Sequence, residues 1–529
     1  MGKAKEQGLN KEYVQAVTNA PKFGIKDKLG YMFGDLGFNS LQVIVNTYFM
    51  LFCVNVLGVK ATHYAVIIFI CKLLDACNDT IIGRTVDKRP ATKYGKMRPY
   101  LKWFAIPYAV LTVVIFANVT AMPYVFKIVW ILVIYFIWGI IGTFINVPYG
   151  AMSNIITTNQ VERTELSNFR SIGSYAANIG VTTLAPLMLY DENSDPIASR
   201  FLILSIGLGI FCTVCLALSY HFTHERVLVT EGSGISAAAN GGKKVNYWQV
   251  IKSFGKNRIM IAVVLAYVVA KLFTQTVSTT NQYVFMVYFQ DTTMLSMASL
   301  VTIIPMIVAM VFLKPLVKKF GKKNLCTWPV LIAAVFYGIT AFAPMTPVTW
   351  IICQVCASCF TACMGLLLWS LIADAVDYQA YLTGERNDGT VYATITFIVF
   401  FAGSASTSLI ALVLEWLGYD ATLGSMGQLA GVAERIKIFG GVWPMIGCIL
   451  TFICYKLIYN VSDEEMRHVS ATLKQRSDEE KAKILAEDSS NGKVNEEEAS
   501  SVNETLNQSN DEQDAKSRNK DSENDKSTK

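Results

Sequence analysis

Long apolar segments recur along this chain, and they restrict its fold more than any other feature. Each is long enough to cross a hydrocarbon core about 30 Å thick. They begin near Tyr31, His63, Tyr100, Val125, Asn168, Phe201, Arg258, Met294, Leu325, Pro347, Thr390 and Ile436. Inside a bilayer every backbone polar group must find a partner within the protein, so such segments fold as helices. We therefore predict an all-α membrane protein with twelve transmembrane helices, which fits a mean hydropathy of +0.38.

A polar connector divides the twelve segments into two sets of six. It contains EGSGISAAANGGKK, a Gly-, Ala- and Ser-rich run typical of a flexible linker. Glu162-Arg163 recurs 223 residues later as Glu385-Arg386, which favours a duplicated six-helix unit. The predicted parts are an N-terminal segment at 1–28, a six-helix bundle at 29–222, a central loop at 223–256, a second bundle at 257–460, and a hydrophilic, largely disordered tail at 461–529.

The loops that carry several Lys or Arg residues all fall on one side of the predicted bundle. Examples are DKRPATKYGKMRP and VKKFGKK, whereas the alternate loops have almost no basic residues. Basic residues near the ends of spans stay in the cytoplasm. We therefore expect a multi-pass protein of the cell membrane with both termini inside the cell. The start, MGKAKEQ, does not lead into a cleavable apolar stretch, so no signal peptide is expected.

Two carboxylates lie inside the second apolar segment, in DACNDTIIGRTVDKRP. Asp75 lies about 18 Å from the start of the segment, and Asp79 is one helical turn deeper on the same face. A bare charge at that depth costs at least about 2.5 to 3.5 kcal/mol, so it requires a partner. One interpretation is a structural pairing with Lys72 and Asn78. The other is a site for Na+ or H+, because carboxylate and amide oxygens suit hard cations.

Polar residues also interrupt the fourth and seventh segments. Thr143 and Asn146 precede Pro148, which frees backbone carbonyls inside the bundle. Lys271 lies in AYVVAKLFTQTVSTTNQY, where a lysine must face a cavity or an acid. Thr274, Gln275, Ser278 and Asn281 extend this polar stripe.

No nucleophile-base pair, phosphate-binding loop or metalloprotease motif is present, so an enzyme is not expected. We expect no cofactor, and no metal besides a coupling ion. The net charge of +6 reflects the basic loops and indicates no nucleic-acid surface.

Several motifs resemble those of the glycoside-pentoside-hexuronide:cation symporter family, the melibiose-carrier relatives within the major-facilitator fold. They are KLGYMFGDLGFN, DACNDTIIGRTVDKRPATKYGKMRPYL, INVPYGAMSNIIT and DYQAYLTGERNDGTVYA, and the resemblance covers residues 28–459. The resemblance implies a coupling-cation site of Asp75, Asn78, Asp79 and Thr143. Melibiose-type members have aspartates where this chain has Asn39 and Asn146, and these asparagines are similar to those of the glucuronide and pentoside carriers.

The resemblance also bears on the substrate site. Arg170, in LSNFRSIGS, matches an arginine of the family on the fifth span, and Trp369 is a candidate to stack on a sugar ring. Phe401 stands where many members have a lysine or arginine. We infer that Lys271 supplies the missing charge and contacts either an acidic sugar or an acid of the second segment.

The predicted function is cation-coupled symport of a small sugar by alternating access, with no obligate protein partner. Its substrate site would hold Asn39, Asn146, Arg170, Lys271 and Trp369. Its cytoplasmic gate would draw on charged residues at span ends, namely Asp87, Arg89, Arg98, Glu162, Arg163, Asp377 and Arg386. The alternatives are a lipid or lysolipid transporter on the same scaffold and a non-transporting sensor that signals through the tail. The choice of sugar, Na+ against H+, and the oligomeric state stay open.

Overall fold

The computed structural model describes residues 11–157, 159–227, 257–301, 303–383, 388–429 and 431–459, with a few further positions up to 475. Some side chains within these ranges, including those of Asp79 and Trp369, are outside the described part.

Seven α-helices lie in the described residues of the N-terminal half. They are α1 (Lys11–Thr18), α2 (Ile25–Leu51), α3 (Ala61–Lys88), α4 (Arg98–Ile115), α5 (Tyr124–Ile156), α6 (Gln160–Leu189) and α7 (Ala198–Phe222). A π-helical turn, Phe52–Val56, extends α2. The short helix α1 is amphipathic and lies in the segment that precedes the first predicted span.

Seven further α-helices lie in the described residues of the C-terminal half. They are α8 (Arg258–Tyr283), α9 (Thr292–Val301), α10 (Ile303–Phe320), α11 (Lys322–Phe342), α12 (Pro347–Thr383), α13 (Asp388–Trp416) and α14 (Val432–Ile453). Residues 373–383 and the few described positions between 461 and 475 belong to a separate compact unit, and the other described residues form the first unit.

The predicted helical fold is confirmed. Within the described residues, nine helical stretches are long and apolar enough to cross a membrane. Helices α3, α4 and α13 lie where the second, third and eleventh spans were predicted, and α3 carries Lys72, Asp75 and Asp79 within its length. The count of twelve spans stays a prediction.

Close packing in the N-terminal half depends on glycines. A Cβ atom at Gly173 of α6 would lie 2.4 Å from the carbonyl oxygen of Met32 on α2. A Cβ atom at Gly34 would lie 2.5 Å from the Tyr149 ring on α5. Because neither glycine has a side chain, α2 approaches both α5 and α6 closely. Polar side chains on these three helices can therefore meet.

Within the described residues, the most extensive helix contacts between the halves are those of α3 with α13 and of α6 with α9. Duplication of a six-helix unit would relate the second predicted span to the eighth and the fifth to the eleventh. It would therefore map the α3–α13 pair onto the α9–α6 pair. The packing thus has the pseudo-symmetry that the Glu-Arg repeat indicates.

Candidate functional site

A buried ion pair joins α2 to α6. The Nε atom of Arg170 donates to Oδ1 of Asp35 at 3.1 Å. Asn39, one turn further along α2, donates from Nδ2 to Oδ2 of Asp35 at 2.8 Å. Both oxygens of this intramembrane carboxylate are therefore hydrogen-bonded, as a buried charge requires. Asp35, which was not predicted, therefore brings together two predicted substrate residues, Asn39 and Arg170.

Two tyrosines form the wall behind this pair. The Arg170 guanidinium lies 5.2 Å from the centroid of the Tyr149 ring, a cation–π distance. The Tyr149 ring stacks on the Tyr31 ring at 4.6 Å. Each tyrosine hydroxyl donates to the other residue's backbone carbonyl. The Arg170 side chain is 38% exposed whereas that of Asp35 is 3% exposed, so the arginine faces the accessible space and the aspartate anchors it.

Asp35 was not among the predicted site residues, although it lies in the motif KLGYMFGDLGFN. The same test that selected Asp75 and Asp79 would have found it, because Asp35 is a carboxylate in an apolar segment, four residues before Asn39.

The polar face of α2 continues past Asn39. Gln42 and Asn46 follow at spacings of three and four, and Asn46 Nδ2 donates to Gln42 Oε1 at 3.0 Å. On α5, Asn146 is exposed. These amides give the site further hydrogen-bonding groups of the kind that hydroxyl-rich ligands need.

Two of the predicted cation-site residues, Asp75 and Thr143, both lie against Gly139 at the interface of α3 and α5. A Cβ atom at Gly139 would lie 2.5 Å from Oδ1 of Asp75, so the carboxylate occupies the space that this glycine leaves. Thr143 is one turn along α5, is buried, and donates to the Gly139 carbonyl at 3.1 Å. Lys72 interacts electrostatically with Asp75. Asp75 and Thr143 are thus neighbours across one helix interface.

Asn78 and Asp79 belong to the same stretch of α3. Among the described residues, the buried Nδ2 atom of Asn78 has no hydrogen-bond partner. This unused group is an N–H donor, which a water molecule or a carboxylate can satisfy, whereas a cation would bind the Oδ1 atom of the same amide. The Asp79 side chain lies outside the described part.

Lys271 lies at mid-length of α8. Its Nζ is 5.7 Å from the centroid of the Tyr267 ring, one turn away. Within the described part of the chain it makes no ion pair with a carboxylate. Phe401 of α13 packs edge-to-face on Phe69 of α3, with centroids 5.9 Å apart. The side chains of Thr274 and Gln275, and that of Trp369, are outside the described part.

Two predicted gate residues, Arg89 just after α3 and Arg98 at the start of α4, contact their own half. The Arg89 guanidinium lies 4.7 Å from the centroid of the Trp103 ring. Arg98 Nη2 donates to the Tyr220 carbonyl at 2.6 Å. The Asp87 side chain is outside the described part.

Two more gate residues stabilise the turn between α5 and α6. Glu162 accepts from the Thr157 hydroxyl, and Arg163 Nε donates to the Thr157 carbonyl at 2.9 Å. Asp377 belongs to the separate compact unit, and Arg386 lies outside the described residues.

A carboxylate caps the N-terminus of α4. Glu225, just after α7, accepts from the backbone N–H groups of Lys96, Met97 and Arg98 at 2.9 to 3.1 Å. Negative charge is favourable at a helix N-terminus, where backbone donors have no intrahelical partner. Burial lowers the pKa of the neighbouring His224, and the positive charge of Arg98 lowers it further.

A buried ion pair lies beside this cap. Both guanidinium amino groups of Arg226 donate to the Asp27 carboxylate, at 2.8 and 3.0 Å. Together the cap and the ion pair fix the end of α7 against α2 and α4.

Among the described residues, all hydrogen bonds between the two halves lie at the end of the bundle opposite to the Glu225 cap. They join Asn55 to Tyr419 and Tyr283, Thr62 to Glu415, Thr47 to Gln282, and Asn193 and Asp195 to Ser425. These hydrogen bonds hold the halves together at this end of the bundle, which we call the closed end.

Known proteins show the same organisation. Residues 30–463 match the family described as MFS/sugar transport protein. A relative named uncharacterized symporter YjmB, from Bacillus subtilis (strain 168), is 28% identical and covers 88% of this chain and 98% of its own. A putative sulfoquinovose importer of Escherichia coli (strain K12) is 27% identical, with coverage of 87% and 96%.

A solved structure supports the fold. The D-xylose-proton symporter superposes with a TM-score of 0.56 at 14% identity, over 82% of this chain and 97% of that one. The family match spans most of the chain, including α2 to α14 and both polar clusters. The chain therefore belongs to the MFS/sugar transport protein family, a family of multi-pass membrane transporters and not of enzymes.

Proposed function

We propose that this protein is a cation-coupled sugar symporter that works by alternating access. The observation that carries the proposal is the position of Asp75, an intramembrane carboxylate against Gly139 and next to Thr143. Intramembrane acids mark ion pathways because they are costly without a ligand or partner. The relatives' names, a symporter and a sugar importer, support the same function.

The coupling ion would bind Asp75, Asn78, Asp79 and Thr143. These side chains offer carboxylate, amide and hydroxyl oxygens, which suit Na+, and two adjacent carboxylates also suit a proton. Binding of either ion neutralises charge at the α3–α5 interface. Lys72 already offsets part of this negative charge, so one bound cation is sufficient to neutralise the remainder.

The sugar would bind between the halves, at Asn39, Asn146, Arg170, Lys271 and Trp369. Asp35 and Tyr149 hold Arg170 in place, so its donors are oriented before the sugar arrives. Such preorganisation lowers the entropic cost of binding. Coupling then requires that ion and sugar each raise the other's affinity by the same factor.

The closed end of the bundle would face the outside of the cell, with both termini in the cytoplasm. Transport would alternate the inter-half contacts at this end with a cytoplasmic gate formed by charged residues at the span ends. The expected gate residues are Asp87, Arg89, Arg98, Glu162, Arg163, Asp377 and Arg386. In the described conformation, Glu162 and Arg163 are engaged within their own half, so formation of the gate would require them to exchange partners.

The test is sugar-induced ion movement in proteoliposomes. Neutral and acidic glycosides are screened while internal pH and Na+ are recorded, with Asp79→Asn as the variant and the exposed Glu192→Gln as the matched control. Ion uptake that depends on one sugar and is lost only in Asp79→Asn supports symport. Sugar entry that ignores both gradients and survives Asp79→Asn shows instead a facilitator with structural acids.

A further inference from the structure

Two cations inside the spans, Arg170 and Lys72, have acidic neighbours. Arg170 is paired with Asp35 at 3.1 Å. Lys72 interacts electrostatically with Asp75 and stands over the Tyr135 ring. Each of these positive charges is offset within the N-terminal half. Neither leaves a net positive charge for a substrate to neutralise.

Lys271 differs from both. It is thirteen residues from the start of α8, which places it about 20 Å along the helix. Its side chain is partly buried, and its aromatic neighbour is Tyr267. An aromatic face attracts a cation but does not neutralise it. Among the described residues no carboxylate pairs with Lys271.

A lone ammonium at this depth requires a cavity and a counter-charge. Phe401, on the neighbouring α13, is apolar and packs on Phe69, so it supplies none. The polar face of α2, with Asn39, Gln42 and Asn46, provides neutral hydrogen-bonding groups. The counter-charge of Lys271 is therefore an anionic ligand that binds and dissociates.

We propose that the transported sugar is itself a monoanion, an acidic sugar such as a hexuronide, and that Lys271 binds its charged group. This assignment rests on the proposed function. The cation neutralises the acidic cluster on α3, and the sugar's anion neutralises Lys271 on α8. Cation and acidic sugar then cross together without net charge, which minimises the electrostatic cost of moving through a low-dielectric site.

The experiment uses the full chain in proteoliposomes with four probes. Methyl β-D-glucuronide and methyl β-D-galacturonide are each compared with the matching neutral glycoside. The variants are Lys271→Gln and Lys271→Arg, and the exposed Lys319→Gln is the control. Lys271→Arg retains the charge, so it also controls for folding.

We expect the wild type to prefer at least one acidic sugar over its neutral counterpart by tenfold or more in half-saturation. Lys271→Gln should raise the half-saturation for that sugar at least tenfold and remove the preference, whereas Lys271→Arg should retain most of it.

Three results would overturn the assignment. One is a wild type that carries neutral glycosides only, and another is an unchanged acidic-sugar half-saturation in Lys271→Gln. The third is a shift in cation dependence with the sugar preference intact, which would show that Lys271 pairs with Asp79 and not with the sugar. The proposed function itself fails under a different result, in which neither class of sugar moves any ion.

Discussion

Removing Arg170 should destabilise the protein far more than removing its partner Asp35. Arg170→Gln leaves the Asp35 carboxylate buried, with its side chain only 3% exposed and Asn39 as a remaining donor. Removing one partner of such a pair leaves the buried charge without a counter-charge, which lowers the free energy of unfolding by about 3 kcal/mol. Asp35→Asn leaves an arginine that is 38% exposed and can be hydrated, so we expect a loss of about 1 kcal/mol.

The double variant separates pairing from packing. Asp35→Asn with Arg170→Gln leaves two neutral amides that can hydrogen-bond to each other. The double variant should lose about 2 kcal/mol of unfolding free energy. This is about 2 kcal/mol less than the sum of the two single losses, because the effects of residues in direct contact are not additive.

Equilibrium unfolding in mixed micelles, followed by tryptophan fluorescence at neutral pH, measures these differences. Arg258→Gln, an exposed arginine at the start of α8, is the matched control and should change stability by less than about 0.5 kcal/mol. Equal losses for the two single variants, or a fully additive double variant, would refute the asymmetric-burial argument.

Three other predictions concern separate parts of the molecule. Gly139→Ala would place a Cβ atom 2.5 Å from Asp75 Oδ1, so the cation concentration for half-maximal transport should rise severalfold; unchanged cation dependence would contradict this. Glu225→Gln should lower unfolding stability by about 1 to 2 kcal/mol, because a neutral amide caps α4 less well than a carboxylate; a neutral effect in the same unfolding titration would show that the cap is dispensable. Asp195 Oδ1 accepts from the Ser425 N–H at 2.8 Å, so cysteines at these two positions should cross-link on oxidation and stop uptake until reduced; uptake that persists in the cross-linked protein would show that this end does not open.

The positions of the helices were predictable from the sequence alone. Predicted spans begin within about eight residues of the helices, for example at Tyr31 against Ile25 and at Pro347 in both cases. The reason is physical: a bilayer offers backbone groups no partner, so an apolar segment of sufficient length has no alternative to helix. The same cost made Asp75 and Asp79 conspicuous, because few charges are tolerated at that depth.

Which charges meet was not predictable in this way. Asp35 and Arg170 are 135 positions apart, and their pairing depends on the close approach that Gly34 and Gly173 allow between helices. Helical periodicity assigns a residue to a face of its own helix, but the helix's rotation and neighbours come from packing over the whole bundle. Lys271 was recognised from its depth in the sequence. That it lacks an acid among the described residues became visible once Asp35 and Asp75 were placed beside other cations.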